Sequence, residues 1–164
     1  FLSMRNLSMI MLYRPSTNKI INIINGPFFK QHDVDIISDK EISIYNNNVL
    51  NTFNGEKILS NNEVVIYNFE TQQFSKKFEN GMKKNKVLTV TGGNHEILKD
   101  GSMIVEEEDV GRILFFNSNG ELEWEYTNKA KNEKAYVVSK SRIIEDESSI
   151  ANIKEKIKNT KCTN

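Results

Sequence analysis

The chain has 164 residues and 38% of them are hydrophobic; 22 Lys and Arg balance 22 Asp and Glu, so the formal net charge is zero. These values are typical of one globular domain and argue against a disordered tail, a polybasic nucleic-acid binder and an acidic tail. No apolar run approaches the roughly 20 residues that a membrane-spanning helix needs. A single cysteine, Cys162, cannot form an internal disulfide, so cysteine usage does not identify the redox compartment.

Short segments of alternating apolar and polar residues recur along the chain and are rich in Ile, Val, Phe and Tyr. Period-two alternation over such short lengths predicts β-strands rather than helices. The clearest segments are residues 8–13, 41–45, 63–67, 102–107, 112–116 and 121–126. Polar turn sequences, such as NSNG at 117–120, separate them. The sequence therefore predicts an antiparallel all-β fold.

A longer repeat is superimposed on this alternation. Residues 32–80 and 86–128 each have the pattern of four antiparallel strands, and residues 1–25 have that of the last three strands of a preceding unit. Tandem four-stranded units of about 50 residues are typical of β-propeller blades. We therefore predict part of a β-propeller, with about two to three blades, and the alternative is a single irregular β-sandwich.

A complete propeller has roughly 4–8 blades. We therefore expect that missing N-terminal blades or an oligomer covers the edges of the sheets. The partial propeller is predicted to extend over residues 1–144, with a closing strand at 135–144. Residues 145–164 form a tail in which Ile150, Ile153 and Ile157 have helical spacing, so a short helix is predicted there.

Two histidines, His32 and His95, begin the first strand of their respective four-stranded units. First strands of propeller blades line the central channel, so their ends converge on one pocket. Two imidazoles there could act as nucleophile and proton donor, because an unperturbed imidazole pKa of about 6.5 leaves the neutral form abundant at neutral pH. The alternative is a hydrogen-bonded structural histidine at each strand end.

Several motifs occur in the order found in one known family. They are SMR at 3–5, GPFFKQHD at 26–33, ISIYNNN at 42–48, GNHE at 93–96, VEEEDVGR at 105–112 and EWEY at 123–126. Over residues 1–144 the chain resembles the C-terminal part of the arylsulfotransferase family of bacterial β-propellers. That family has an S-x-R strand, a Q-H segment and an I-S-I-F-D-N-G strand. Here YNNN replaces F-D-N-G, and the family's upstream H-x-N segment precedes the first residue of this chain.

The resemblance implies transfer of a sulfuryl group from an aryl sulfate to a phenol, without a nucleotide sulfate donor or other cofactor. It implies that His32 is the nucleophile and that Arg5 binds the sulfate. A guanidinium suits that role because its fixed fork of donors stabilises charge on the transferred group. We predict His95 as proton donor and Asn47 and Asn94 as substrate-binding residues, and we predict no metal site.

The resemblance also implies a periplasmic or secreted protein, a compartment that the sequence alone does not identify. Two other functions remain open: a non-catalytic propeller that binds or scaffolds a partner, and a truncated fragment that is inactive alone. The acidic run at 106–109 could bind a cation, but alternate carboxylates of a strand point to opposite faces, so we expect a solvated edge. No nucleic-acid partner is expected, because the lysine clusters are short and scattered.

Overall fold

The computed structural model describes residues 1–131 and 134–160. The first sheet contains, in chain order, β1 (Leu2–Met4), β2 (Met9–Arg14) and β3 (Lys19–Asn25). The second sheet contains β4 (Val34–Ser38), β5 (Glu41–Asn46), β8 (Glu63–Asn68) and β9 (Gln73–Ser75). Between β5 and β8 the chain forms a separate hairpin of β6 (Val49–Thr52) and β7 (Gly55–Ile58). A short helix, α1 (Glu79–Lys84), follows it.

The third sheet contains β10 (Asn94–Ile97), β11 (Met103–Glu107), β12 (Arg112–Phe116) and β13 (Leu122–Thr127). All strand pairs are antiparallel, and the two complete sheets have four strands each, as in propeller blades. The prediction of an all-β fold with part of a propeller is confirmed. The predicted short C-terminal helix is also present, as α2 (Glu147–Asn159).

The same turn recurs at corresponding places in the first and third sheets. Between β1 and β2, a 3₁₀ turn at Arg5–Leu7 ends at Ser8, whose φ is 50°. Between β11 and β12, a 3₁₀ turn at Glu108–Val110 ends at Gly111, whose φ is 66°. The three strands of the first sheet therefore correspond to the last three strands of a blade.

Strand β5 is the centre of the packing, because it is buried on both faces. Ile42 and Ile44 pack with residues of the first sheet, in a cluster that also contains Ile10 and Ile24. Tyr45 points the other way, into the larger cluster, and its side chain is completely buried. That cluster joins the second sheet, α1 and the third sheet; its other members are Val64, Phe78, Met82, Val87, Met103, Val105, Leu114 and Phe116.

The closing strand predicted at 135–144 is not formed. Ala135 makes only an isolated bridge with Lys129, and the chain then runs without regular structure to the start of α2. The physical reason is a change of partner: the amide of Ser141 donates to the Glu106 carboxylate at 2.5 Å instead of to a strand carbonyl. A buried carboxylate competes effectively for such donors, because it must be hydrogen-bonded.

Asp146 begins α2 as its N-cap. Its Oδ2 accepts hydrogen bonds from the amide of Ser149 at 2.7 Å and the hydroxyl of Ser148 at 2.8 Å. These bonds favour the ionised carboxylate and lower the pKa of Asp146 to about 2. Neither helix in the described part of the chain has the length and apolar character that crossing a bilayer requires.

Changing Asp146 to Asn keeps a capping acceptor but removes its titration. Because the folded pKa is below the ordinary 3.8, the charge contributes helix stability that is complete above that value and is lost as the pH falls through about 2. We expect the far-UV circular dichroism of the unmodified protein to lose helical signal over this range more steeply than that of Asp146→Asn. The exposed Asp39→Asn serves as control, and equal acid loss in the Asp146 variant and the unmodified protein would contradict the assignment.

Candidate active site

The 31–33 segment, which contains His32, lies between the first and third sheets and is held by β5. The amide of His32 donates to the carbonyl of Tyr45 at 2.9 Å, and the amide of Tyr45 donates to the carbonyl of Asp33 at 2.9 Å. These two bonds continue the pairing of β4 with β5 beyond the end of β4. Consequently, the backbone around His32 is fixed from one side by a strand in which five of six residues are buried.

Gln31 ties this segment to the first sheet. Its Nε2 donates to the carbonyl of Met9 at 2.9 Å and to the hydroxyl of Ser3 at 3.3 Å. Ser3 belongs to the S-x-R motif, so the two motifs that carry the family resemblance lie side by side. Gln31 is completely buried, whereas His32, the next residue, is exposed.

Arg5 ends the S-x-R motif and lies in a small cationic cluster. Its two terminal nitrogens lie 3.3 and 3.4 Å from the two carboxylate oxygens of Glu56, which comes from β7. The buried Lys30 also binds Glu56, through its ammonium. Hydrogen bonds from Lys30 and from Arg5 hold the pKa of Glu56 below its usual value. Two cations thus converge on one anionic group, beside the 31–33 segment.

The 89–92 loop connects Arg5 with Asn47. One terminal nitrogen of Arg5 donates to the carbonyl of Val90 at 3.0 Å. The Asn47 side chain is completely buried and donates to the carbonyls of Thr89 at 3.3 Å and Gly92 at 3.0 Å. The amide nitrogen of Asn47 also lies 3.2 Å from Thr89 Oγ1, so among the described residues its contacts are all with Thr89 and Gly92. It is placed to hold the loop against which Arg5 lies.

Tyr45 and Asn62 also hold the 89–92 loop in place, through Thr89. The Tyr45 hydroxyl donates to Asn62 Oδ1 at 3.0 Å, and Asn62 Oδ1 also accepts from the amide of Thr89 at 2.5 Å. Burial raises the pKa of Tyr45 well above its ordinary value. The phenol therefore stays neutral and remains a hydrogen-bond donor.

His95 lies on the other side of the 31–33 segment, where the second sheet faces the third. Its side chain is fully buried, and its Nδ1 lies 3.3 Å from Asp33 Oδ2, which also accepts from the His95 amide at 3.2 Å. Burial works to raise the pKa of Asp33, but its contacts with His95 outweigh that effect and hold it below the usual value. Burial and the nearby charge of Asp33 raise the pKa of Asp35. Asp33 is thus the more readily ionised of the two carboxyl groups.

A cavity of about 540 Å³ opens at this place. It is lined by Asn94 and His95 from the third sheet and by Asp33 and Asp35 from the second. The irregular segment that follows Ala135 forms another part of its wall, so the cavity lies at the junction of two blades and the C-terminal segment.

The acidic run at 106–109 differs from the predicted solvated edge. Glu106 and Glu107 are 2% and 1% exposed. Glu106 accepts from the amide and hydroxyl of Ser141, and Glu107 pairs with Arg112 at 2.5 Å. Buried carboxylates require such partners. Arg112 lies opposite Glu107 on the paired strand β12, whereas Ser141 is 35 residues from Glu106 and is not identified by strand periodicity.

The structure divides the predicted site residues between two places. Asn94 and His95 line the cavity, whereas Arg5 and Asn47 meet at the 89–92 loop and do not line it. His32 lies between these places, on the exposed side of its segment. Sequence reasoning missed Asp33, Lys30 and Glu56. Only Asp33 and Lys30 had a local signal, since they lie within two residues of His32.

Comparison with known proteins identifies the family of the chain. The family model described as Arylsulfotransferase (ASST) matches residues 1–129. The match covers all three sheets, the S-x-R motif and the Q-H segment. No curated protein and no solved structure gave a significant match.

Replacing Asn47 by Ala tests whether this residue holds the 89–92 loop. The change removes a buried donor from two carbonyls, so we expect a loss of about 1–3 kcal/mol in the free energy of unfolding in urea. Asn22→Ala, at an exposed position of β3, is the control and should change the free energy by no more than about 0.5 kcal/mol. An Asn47 variant as stable as the control would show that Asn47 has no such structural role.

Proposed function

Because the chain belongs to the arylsulfotransferase family, we propose that it transfers a sulfuryl group from an aryl sulfate to a phenolic acceptor through a sulfated His32. The observation that carries this proposal is the position of His32. Its imidazole is exposed while its backbone is fixed to β5, and its segment is bonded to the motif that contains Arg5. A fixed backbone with a free side chain suits a nucleophile, which must be oriented and also accessible to its substrate.

The proposed reaction has two balanced steps. In the first, a ring nitrogen of neutral His32 attacks the sulfur of the aryl sulfate; the N–S bond forms, the S–O bond to the ring breaks, and the phenolate leaves and takes up a proton from solvent. In the second, the oxygen of an acceptor phenol attacks the same sulfur, the N–S bond breaks with its electron pair returning to the imidazole, and the acceptor's proton passes to solvent. Since the enzyme carries the group between the two steps, the kinetics should be ping-pong.

Arg5 and Lys30 supply the positive charge that this transfer requires. The transferred group spreads negative charge over its equatorial oxygens, as a phosphoryl group does, and fixed cations stabilise that charge. Both side chains bind the Glu56 carboxylate, which supports their capacity to hold an anion. We propose that the sulfate group takes the place of this carboxylate when substrate binds.

We propose positioning roles for the remaining predicted residues. His95 is buried against Asp33, so it orients the 31–33 segment through that carboxylate, in place of the proton donation expected from the sequence. Asn47 holds the 89–92 loop behind Arg5. Asn94 lines the cavity beside His95, and its amide lies 3.4 Å from Glu106.

Intact-mass spectrometry after brief exposure to an activated aryl sulfate tests the covalent step. We expect one added sulfuryl group on the unmodified protein and none on His32→Ala, because the variant lacks the attacking nitrogen. Peptide mapping provides the control, since the other histidine in the sequence, His95, lies on a separate peptide and should stay unmodified. A folded protein without an adduct would reject the enzyme and favour the non-catalytic propeller.

Glu56→Gln tests whether the carboxylate competes with the sulfate group. Removing its charge weakens its hold on Arg5 and Lys30, so we expect the affinity for an aryl sulfate to rise. The rise should be up to about fivefold, which corresponds to the free energy that a surface ion pair contributes. Glu70→Gln breaks the exposed pair with Lys40 and is the matched control, with no expected change. Weaker binding by Glu56→Gln would mean that Glu56 positions the cations instead of competing with substrate.

A further inference from the structure

The cavity between the second and third sheets contains three side chains of the kinds that bind metal ions. Asp33 and Asp35 come from the start of the second sheet and His95 comes from β10. One ligand atom of each lies within 4.8 Å of the other two. The two aspartates are two residues apart in an extended segment, so they point to the same face. The group therefore joins neighbouring blades.

Two buried polar side chains at this cavity lack hydrogen-bond partners in the described residues. The first is His95, whose side chain is 0% exposed and whose two ring nitrogens both lack a hydrogen-bond partner. The contact of Nδ1 with Asp33 does not have hydrogen-bond geometry. The hydroxyl of Ser43, the strand partner of Asp35, is the second case, in a residue that is also 0% exposed. Both residues line the cavity. Buried polar atoms normally have partners, so these two side chains point to a ligand that binds in this cavity.

We propose that Asp33, Asp35 and His95 bind a divalent transition-metal ion, for which Zn²⁺ is the best match. One imidazole with two carboxylates suits zinc better than magnesium or calcium, which favour oxygen ligands alone. With metal–ligand bonds of about 2.0–2.2 Å, neighbouring ligands of a tetrahedral ion lie about 3.3–3.6 Å apart. His95 Nδ1 and Asp33 Oδ2 have that separation, 3.3 Å. The ligand atom of Asp35 lies within 4.8 Å of the other two.

The other charged side chains at the cavity do not neutralise Asp33 and Asp35 in place of a metal ion. Glu106 is occupied by Ser141, and Glu96 adds negative charge. Lys140 and Arg142 bring positive charge from the C-terminal segment, but neither forms an ion pair with Asp33 or Asp35. A small cation between the two aspartates would offset their repulsion directly. The site would also connect the second sheet to the third, so occupancy should stabilise the protein.

This inference does not depend on sulfuryl transfer, because its three ligands are separate from His32 and Arg5. The test is titration of ZnCl₂ into chelator-treated protein by calorimetry, in a Cys162→Ser background that removes the thiol. We expect saturable binding of one ion per chain and a higher melting temperature with Zn²⁺. Asp35→Asn, which preserves side-chain size, should weaken binding by about 10–100-fold or more.

Asp39→Asn is the matched control for the lost charge and should bind as the unmodified protein does. Nitrogen NMR of the imidazole rings supplies an independent reading, with His32→Gln used to assign the two histidines. A large zinc-dependent shift of a His95 ring nitrogen supports the site. Absence of saturable binding, unchanged affinity in Asp35→Asn, or a zinc shift at His32 instead of His95 would overturn it, whatever the result of the sulfation experiment.

Discussion

The pairing of Tyr45 with the 31–33 segment is the interaction on which the rest of the structure depends. The backbone of Tyr45 holds His32 and Asp33 through two bonds of 2.9 Å. Its side chain fills the core between two blades, and its hydroxyl binds Asn62, which supports Thr89 in the 89–92 loop. One residue thereby fixes the segment of the proposed nucleophile and the loop behind Arg5. Core packing and site geometry are therefore coupled.

This arrangement gives the two histidines different chemistry. The His32 side chain is exposed, and Arg5 and Lys30 both bind Glu56, Lys30 being two residues before His32. His95 is buried beside Asp33, in a cavity with unpartnered polar atoms. A group-transfer function and a metal site can coexist because the 31–33 segment separates them. The hairpin carrying Glu56 then places an internal anion where we propose that the sulfate binds.

Strand periodicity and turn residues were sufficient to predict the all-β fold, because each blade is built from neighbouring strands. The β6–β7 hairpin had a local signal, Asn54-Gly55 with Gly55 at a φ of 102°, that the prediction did not use. The strand expected at 135–144 did not form: the amide of Ser141 donates to the distant Glu106 carboxylate, and Ala135 makes only an isolated bridge. The partner of His95 lies 62 residues away, and one sequence does not reveal such non-local contacts.

The central claim concerns the fixed 31–33 segment. Its His32 side chain is exposed to solvent, whereas its Asp33 side chain contacts the buried His95. Histidine-selective acylation of the native protein, followed by peptide mapping over time, tests this claim most directly. We predict rapid modification of His32 and protection of His95 until the protein unfolds. Modification of His95 at a rate comparable to that of His32, or ahead of it, would contradict the account.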